Sequence, residues 1–316
     1  MKKLLILLGV LIAFSLVSCN SVSTEITYSD DNPFVIEMKN DDLKILQLTD
    51  LHLTYGIDAN DRKTLVLIDK LVSADEYDLI VISGDIALSI SATSLFSKLI
   101  KHMETLKTPW TFIFGNHETD YNDYSDFINR ISSETEYLYF KVGPEMVNGG
   151  YGNFRIQFTK DSVPFYNLYL MDSHSEMKDY TEEEGEYGYV STAQVDWYES
   201  HVSLDTTDSI LYMHIPLRQY MNPAYYVGTY DEKVCQQGVD TGLFDKILEY
   251  GLTKGVFVGH DHLNDFNIVI EGVYLAYGQV TGYNAYGYLE RGGRVVHIDS
   301  LGVMTSYIVL ESEVSS

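Results

Sequence analysis

The sequence predicts an α/β domain in which two β-sheets pack against each other. In the first half of the chain, apolar runs typical of buried strands alternate with segments whose apolar residues recur every three or four positions, which indicates strand-helix-strand units. The last part of the chain carries short strand-like runs joined by turns, which indicates a second, more antiparallel sheet. The length of 316 residues and the 45% hydrophobic content are sufficient for a large buried core.

Each predicted element is defined by the spacing of its apolar residues. The strands of the first sheet are predicted at residues 43–48, 79–82, 110–114, 167–171, 209–213 and 255–258. Helices are predicted between the early strands, at residues 62–73 and 93–106. The late strands are predicted at residues 266–270, 273–277, 294–298 and 306–310.

The first residues are typical of an export signal. Lys2 and Lys3 precede 14 uncharged, mostly apolar residues, a stretch shorter than the about 20 that a membrane-spanning helix needs. The stretch ends in LVSC, which resembles the bacterial lipoprotein signal, so residues 1–18 are predicted to be removed and Cys19 to carry lipid. An ordinary cleaved signal that contains a cysteine is the alternative. The lipoprotein interpretation predicts an extracytoplasmic, membrane-anchored protein with a polar tether at residues 19–32 and one domain at residues 33–316.

The charge of the chain restricts its partners. A net charge of −25 would repel a phosphate backbone or an anionic membrane surface unless a local cation intervened, so we expect no nucleic acid polymer as a partner. Cys235 is the only cysteine besides Cys19, so no intramolecular disulfide is expected, and a lone thiol is a poor candidate for a metal site. The sequence carries no signal for an oligomeric state.

Five predicted strands finish in specific polar motifs, TDLH, SGD, FGNHE, MHIPL and GHDH. The carboxyl ends of the strands in an α/β sheet face one crevice, so we expect these side chains to lie together. They are Asp50, His52, Asp85, Asn116, His117, His214, His260 and His262. Taken singly, each is explained as a turn residue, a cap or a satisfied histidine. Their combination, with Gly84, Gly115 and Gly259 permitting sharp turns, favours a metal site.

The order of these motifs resembles that of the calcineurin-like metallophosphoesterases, whose pattern runs D-x-H, G-D, G-N-H-[DE], H, G-H-x-H. All five blocks occur here in that order, and the resemblance extends over residues 43–309. The segments HIPL, GHDHLND and TGYNAYG followed by ERGGRVV are most similar to the purple-acid-phosphatase-like branch that contains the Dcr-type phosphoesterases. The resemblance implies a four-layer α/β/β/α sandwich, in which two mixed sheets are flanked by helices.

The resemblance also implies a centre of two divalent metal ions. One ion would be held by Asp50, His52, Asp85 and His262. The other would be held by Asp85, Asn116, His214 and His260, so that Asp85 bridges the ions. Imidazole and carboxylate ligands without thiolate suit Mn, Fe or Zn. Purple acid phosphatases carry a tyrosine ligand three residues after the bridging aspartate, where this chain has Leu88, so we expect neither that ligand nor the purple colour.

The resemblance implies a role for each central residue. Two cations about 3.5 to 4 Å apart lower the pKa of a shared water, so hydroxide bridging them would attack the phosphorus of a small phosphorylated substrate. Asp85 would take part as the bridging ligand. His117, which is not a ligand in the family pattern, would be the general acid or would stabilise the transition state. The alternative for His117 is support of the neighbouring ligands.

Further residues are candidates for the wall of the substrate pocket. Asp172 and His174 follow another apolar strand and are placed at the rim, although a satisfied loop histidine is the simpler interpretation of His174. Tyr283 and Tyr286 lie in a run of alternating glycine and tyrosine that either stacks on the organic part of a substrate or forms an ordinary hairpin. Arg291 is a nearby cation that could meet a phosphate.

Carboxylates beside the predicted ligands have two interpretations. Glu118, Asp261 and Asp265 either accept a hydrogen bond from a ligand imidazole and so hold its tautomer, or they are solvated turn residues. The residues themselves favour neither interpretation.

The sequence therefore predicts a metal-dependent phosphoesterase that acts on phosphate monoesters or diesters outside the cytoplasm. A nucleotide or lipid-headgroup phosphodiesterase is an alternative, because one fold serves many substrates. A non-catalytic, metal-binding surface lipoprotein is a second alternative, against which the complete ligand set and His117 argue.

Overall fold

The structure is a computed structural model in which residues 26–131 and 135–314 are described. Among these residues there is no helix of the length and apolar character needed to cross a membrane. The predicted signal peptide, Cys19 and the beginning of the predicted tether lie outside the described residues. The end of the predicted tether packs on the domain, because Asp31 accepts hydrogen bonds from Trp197 Nε1 (2.9 Å) and His201 Nε2 (2.5 Å).

The described residues form twelve strands and five α-helices. The strands are β1 (Phe34–Glu37), β2 (Leu43–Leu48), β3 (Leu79–Ser83), β4 (Trp110–Ile113), β5 (Phe154–Lys160), β6 (Val163–Leu170), β7 (Ser209–Tyr212), β8 (Thr253–Val258), β9 (Asn267–Ile270), β10 (Val273–Tyr277), β11 (Gly292–Ile298) and β12 (Met304–Leu310). The helices are α1 (Ala59–Ser73), α2 (Ala92–Leu106), α3 (Tyr124–Ile128), α4 (Thr192–Val202) and α5 (Leu243–Tyr250). Capping residues begin two of them, Asp58 at α1 and Ser191 at α4, where each side chain accepts a hydrogen bond from a backbone N–H of the first turn.

The strands form two mixed sheets. One has five strands in the order β12-β11-β2-β3-β4, and the other has seven in the order β1-β5-β6-β7-β8-β10-β9. In the five-stranded sheet β2, β3 and β4 are parallel, and in the seven-stranded sheet β6, β7, β8 and β10 are parallel. The carboxyl ends of parallel strands lie at one edge of a sheet, so the loops after each parallel group emerge side by side.

Hydrophobic clusters define the layers. Ile45 of β2 and Ile210 of β7 belong to the cluster that contains residues of both sheets. The neighbouring Leu46 points to the opposite face of β2 and belongs to a cluster with Phe96 of α2. On the outer face of the larger sheet, a further cluster contains residues of α4 and α5, including Tyr198. The predicted α/β/β/α sandwich of two mixed sheets flanked by helices is confirmed.

The predicted division of strands between the sheets is wrong. The late strands do not form a sheet of their own: β9 and β10 extend the larger sheet beside β8, whereas β11 and β12 extend the smaller one beside β2. Short strand-turn repeats do not specify which sheet edge they join, because tertiary packing selects the partner. The elements β1, β5, α3 and α5 are absent from the prediction, although β5 has the alternating burial of a half-exposed strand.

Candidate metal centre

The polar residues predicted at the strand ends lie together in the structure. Those in the loops after β2, β3 and β4 come from the smaller sheet, and those after β7 and β8 come from the larger one. The side chains are buried for Asp50, His52, Asp85, Asn116, His214, His260 and His262. His117 is half-buried at the same place.

One cluster contains Asp50, His52, Asp85 and His262, whose possible ligand atoms all lie within 4.8 Å of one another. Nε2 of His52 lies 3.4 Å from Asp85 Oδ2, and Nε2 of His262 lies 3.3 Å from Asp50 Oδ1. The two Nε2 atoms of His52 and His262 are 3.2 Å apart. Two carboxylates and two imidazoles thus converge on one small volume.

A second cluster contains Asp85, His214 and His260, with possible ligand atoms again within 4.8 Å of one another. Nε2 of His214 lies 3.2 Å from Asp85 Oδ2 and 3.1 Å from Asn116 Oδ1. Asp85 belongs to both clusters, which is the position that a bridging carboxylate would take.

His214 provides a test of whether these residues fit a cation. Its Nδ1 lies 2.8 Å from the carbonyl oxygen of Ser83 and must donate to it, because a carbonyl oxygen only accepts. Nε2 faces the oxygens of Asn116 and Asp85. Burial lowers the pKa of His214, but the charge of Asp85 outweighs it and raises the pKa to about 10, so in the absence of a metal a proton lies between these atoms, and a bound cation would take its place. In addition, His260 Nε2 is buried and has no hydrogen-bond partner among the described residues. A cation among these atoms would satisfy all of them, so the donor set fits a metal ion.

The backbone at the clusters is held in an uncommon conformation. Asp50, His52, Asp85 and His260 have φ values of 54°, 44°, 52° and 82°. For residues other than glycine this left-handed conformation costs about 1–3 kcal/mol each, and it is typical of functional sites. Two glycines are required here because neighbouring side chains lie too close for a Cβ atom. A Cβ at Gly115 would overlap Asp85 Oδ1, and one at Gly259 would overlap Thr49 Oγ1.

Electrostatics keep the two central carboxylates ionised. Burial alone would raise the pKa of Asp50, but the neighbouring imidazole of His262 and then that of His214 bring it to about 2. Burial likewise opposes ionisation of Asp85, and the imidazoles of His214 and His52 hold its pKa well below the usual range. For His260, burial and then the positive charge of His214 lower the pKa to about 3, so this ring is neutral and able to act as a ligand.

His117 is positioned differently from the cluster residues. Its backbone N–H donates to Asp85 Oδ1 (3.0 Å), while its ring Nδ1 donates to Asp120 Oδ2 (2.8 Å). Burial lowers the pKa of His117, but the charge of Asp85 and the hydrogen bond to Asp120 outweigh it, so the pKa is raised. The sequence analysis missed Asp120, whose signal was its position three residues after His117 in the loop that follows β4.

Both interpretations of Glu118 and Asp261 are wrong. Glu118 is fully buried and accepts hydrogen bonds from the backbone N–H groups of Gly115 (2.6 Å) and Ile86 (2.6 Å), so it joins the loops after β3 and β4. Burial and then the charge of Asp85 raise its pKa to about 7. Asp261 is also buried, and it accepts from Tyr277 Oη (2.6 Å) and from the N–H of Cys235. Asp265 accepts from the backbone N–H of Thr229, 36 residues away in the sequence, so it joins two distant segments and is not a solvated turn residue.

We expect Glu118→Gln to lower the free energy of unfolding of the metal-free protein by about 1–3 kcal/mol, because the amide leaves a buried N–H without its acceptor. Urea denaturation followed by circular dichroism measures this. Glu182→Gln, at an exposed position, is the matched control and should leave the midpoint unchanged. Equal midpoints for the two variants would show that Glu118 does not hold the loops together.

A cleft of about 290 Å³ opens onto the clusters, and we call it the metal cleft. Its wall includes His117 and five of the predicted ligands, which are His52, Asp85, Asn116, His260 and His262. The other wall residues are Leu88, Glu176, Tyr187, Cys235, Asp261, Asn284 and Tyr286. Leu88 therefore faces the centre at the position where a tyrosine ligand would stand, and it offers no donor atom. Cys235 was not expected near a metal, yet its sulfur lies within 4.8 Å of possible ligand atoms of His260 and Asp261.

A hairpin formed by residues 175–188 supplies wall residues that the sequence analysis missed. Glu176 pairs with Tyr187 in an antiparallel bridge, and the N–H of Met177 donates to the carbonyl oxygen of Glu186 (2.7 Å). The ring of Tyr187 meets that of His260 edge-on, with centroids 4.4 Å apart. No strand-end motif marks these residues, because the hairpin is an irregular excursion after β6.

Among the residues predicted to line the substrate pocket, Tyr286 lies in the wall of the metal cleft and stacks on His262, with ring centroids 4.0 Å apart. Tyr283 instead donates from its hydroxyl to Glu311. Arg291 is buried, and its guanidinium donates to the carbonyl oxygens of Ala285 (2.6 Å) and Leu289 (3.0 Å). The predictions for Tyr283 and Arg291 are therefore wrong, since their polar groups hold the loop rather than face a phosphate.

Asp172 and His174 are also outside the wall of the metal cleft. Asp172 is fully buried and accepts from the N–H groups of Tyr151 (3.0 Å) and His174 (2.8 Å), so it organises the loop after β6. His174 lies in a neighbouring groove, where its Nε2 is 3.2 Å from Gln194 Oε1. This contact agrees with the simpler interpretation of His174, that of a loop histidine whose ring is hydrogen-bonded within the protein.

Known proteins share the sequence pattern. A family model described as calcineurin-like phosphoesterase matches residues 43–264. The Arabidopsis thaliana protein named probable inactive purple acid phosphatase 14 is 28% identical over 319 residues, covering 84% of this chain and 76% of that protein. Phosphatase DCR2 of Saccharomyces cerevisiae is 28% identical over 267 residues, covering 71% of this chain and 44% of that protein. The resemblance to the purple-acid-phosphatase-like and Dcr-type proteins is confirmed.

Solved structures share the fold. A dimetal phosphatase from Danio rerio superposes with a TM-score of 0.56 and 11% identity, covering 85% of this chain and 99% of that one. The purple acid phosphatase PPD1 from yellow lupin seeds superposes with a TM-score of 0.51 and 12% identity, covering 87% of this chain and 52% of that one. At such identities the likeness concerns the arrangement of sheets and helices alone.

Proposed function

The chain belongs to the calcineurin-like phosphoesterase family, and from that premise we propose that it hydrolyses phosphate esters at a centre of two divalent cations. One observation carries the proposal: Asp85 is shared by two buried clusters of carboxylate and imidazole atoms, each within 4.8 Å. Buried charge of this kind is costly unless it is paired or holds a metal.

Each cluster would hold one cation. The first would be bound by Asp50, His52, Asp85 and His262, and the second by Asp85, Asn116, His214 and His260. Two cations bound there would lower the pKa of a shared water, so that hydroxide forms near neutral pH, and would offset the charge of the phosphate oxygens. Ligands of this type suit Mn, Fe or Zn.

The residues of the chain orient the reacting groups. Asp85 is fixed by the N–H of His117 at Oδ1, which leaves Oδ2 directed at His52 and His214. Asp120 accepts from Nδ1 of His117 and so fixes the ring orientation. Burial lowers the pKa of His117, but the charges of Asp85 and Asp120 outweigh it and raise the pKa, which favours the imidazolium form, and in that form Nε2 also carries a proton that it can give to the leaving oxygen. Because His117 lines the metal cleft and is half-buried, it can reach a bound ester without being a ligand.

A non-catalytic metal-binding role is the second candidate, because a relative carries the name probable inactive purple acid phosphatase.

We also propose that the protein lies outside the cytoplasm and is held at the membrane by a lipid on Cys19. The export-signal pattern of residues 1–18 supports this proposal. Cell fractionation tests the anchor, since Cys19→Ser should leave the membrane fraction, and a variant that stays there would exclude lipid at this position.

Metal analysis of the purified protein, paired with hydrolysis of p-nitrophenyl phosphate and bis(p-nitrophenyl) phosphate, tests the function. We expect two ions per chain after loading with Mn²⁺, Fe²⁺ or Zn²⁺, and hydrolysis that a chelator abolishes. The ratio of monoester to diester rates would give the substrate class. Two ions without turnover of either ester would favour the binding role, and no bound metal would overturn the proposal.

A further inference from the structure

A groove of about 760 Å³ adjoins the metal cleft, and Glu176 lines both. The groove lies between the hairpin of residues 175–188 and the first turn of α4, which contributes Thr192 and Asp196. It is larger than the metal cleft and has no assigned role. A substrate whose phosphate occupies the metal cleft could extend its organic part past Glu176 into this groove.

The charge of the groove is negative. Among the residues that the structure describes, Glu176 and Asp196 are the only carboxylates that line the groove, and neither lysine nor arginine lines the groove or the metal cleft. Both carboxylates are exposed, and among the described residues neither has a hydrogen bond or an ion pair. They are therefore available to a ligand. His174 is the only side chain among the described lining residues of the groove that can carry a positive charge, and its Nε2 is occupied by Gln194.

The start of α4 opposes this charge but does not cancel it. A helix N-terminus is equivalent to about half a positive charge. At α4 part of this positive potential is already offset, because the side chain of Ser191 accepts a hydrogen bond from the N–H of Gln194. The carboxylates of Glu176 and Asp196 carry a full negative charge each, so the groove as a whole disfavours a second anionic group.

The remaining lining suits an organic cation. Val147, Met177 and Ala193 supply apolar surface, and Tyr189 supplies an aromatic ring in the same groove. Aromatic faces and carboxylates together attract ammonium groups. The net charge of −25 acts in the same direction, since it repels substrates that carry several phosphates.

Resting on the function proposed above, we propose that the substrate is an ester with a single phosphate, whose alcohol carries an ammonium group seated against Glu176 and Asp196. The phosphate binds in the metal cleft and the alcohol extends into the groove. Nucleoside polyphosphates and other polyanionic esters bind more weakly because of the same charges.

Calorimetric binding to the Mn²⁺-loaded protein tests this without relying on turnover. The probes are three phosphonates of equal chain length, 6-aminohexylphosphonate, hexylphosphonate and 5-carboxypentylphosphonate. An exposed ion pair contributes about two- to fivefold in affinity, so two carboxylates should make the Kd of the ammonium probe about tenfold lower than that of the carboxylate probe. The variant Glu176→Gln/Asp196→Asn should bind all three alike, whereas Glu182→Gln, in the same hairpin but outside both cavities, should keep the preference.

The outcomes separate this inference from the proposed function. Equal affinities in the wild type, or a preference for the carboxylate probe, would overturn the inference while hydrolysis of the aryl phosphates still supported a phosphoesterase. A preference that survives in the double variant would also overturn it, because other groups would then be responsible. Failure of all three probes to bind would count against both the inference and the phosphate site itself.

Discussion

Asp85→Asn should lose both metal ions and catalytic turnover together. The amide keeps the size of the carboxylate and an oxygen that can accept the N–H of His117, so the loop conformation is retained. What disappears is the negative charge that faces His52 and His214 in both clusters. Loss of a supporting hydrogen bond costs about 10- to 100-fold in metal affinity, and loss of a shared ligand should cost more. Metal analysis after gel filtration and hydrolysis of the aryl phosphates measure the two effects.

Asp78→Asn is the matched control for this experiment. Asp78 is another buried aspartate, but it accepts from the N–H groups of Lys39 (2.8 Å) and Lys44 (3.0 Å), away from the metal cleft. This variant should keep its metal ions even if it is less stable. Near-normal activity in Asp85→Asn would contradict the bridging role.

His117→Ala should keep both metal ions while hydrolysis slows by about 10²- to 10⁴-fold, the usual contribution of a general acid. The ring donates a hydrogen bond to Asp120 and is not required by either cluster, so its removal leaves the ligands in place. The loss should be larger for an alkyl phosphate than for p-nitrophenyl phosphate, because an alkoxide needs a proton to leave and p-nitrophenolate does not. Phosphate release from both esters gives the comparison.

Two outcomes would contradict this role for His117. Loss of metal from His117→Ala would make the residue a structural support. An equal slowing of both esters would mean that the ring does not protonate the leaving oxygen. Asp120→Asn is the companion variant, and it should show a weaker form of the same leaving-group dependence because Asp120 holds the ring in orientation.

The part of the fold that could be predicted was encoded locally. Continuous apolar strands such as β3 are buried on both faces, and the polar residue after each one is visible in the sequence. The partners of β10 and β11 could not be predicted, because both have ordinary strand patterns and only tertiary packing assigns them to different sheets. The convergence of Asp50 and Asp85 follows from the parallel ends of β2 and β3, whereas His214 comes from the other sheet and reaches them only because the two sheets pack together. The binding of metal by these residues stays a prediction.

The surroundings of the site were harder to predict, because a charged residue in a sequence does not reveal its partner. Arg291 is a cation near the predicted site, but its guanidinium is occupied by backbone carbonyl oxygens. Glu118 completes a recognisable motif, yet its burial and its bonds to backbone N–H groups depend on two loops that are far apart in sequence. Glu176 enters the metal cleft through a hairpin whose sequence carries no periodic pattern.

The distribution of the proposed ligands between two sheets has a consequence for the stability of the protein and for its degradation. Each proposed ligand set combines residues that follow β2, β3 or β4 of the smaller sheet with residues that follow β7 or β8 of the larger sheet, so neither sheet would bind an ion alone. Binding of metal by these ligands would therefore be coupled to the packing of the two sheets, and saturation at 100 times the dissociation constant would stabilise the fold by about 2.7 kcal/mol. A chain starved of metal opens more often and is cleaved more readily by proteases. The abundance of this protein should therefore follow the metal supply of its surroundings.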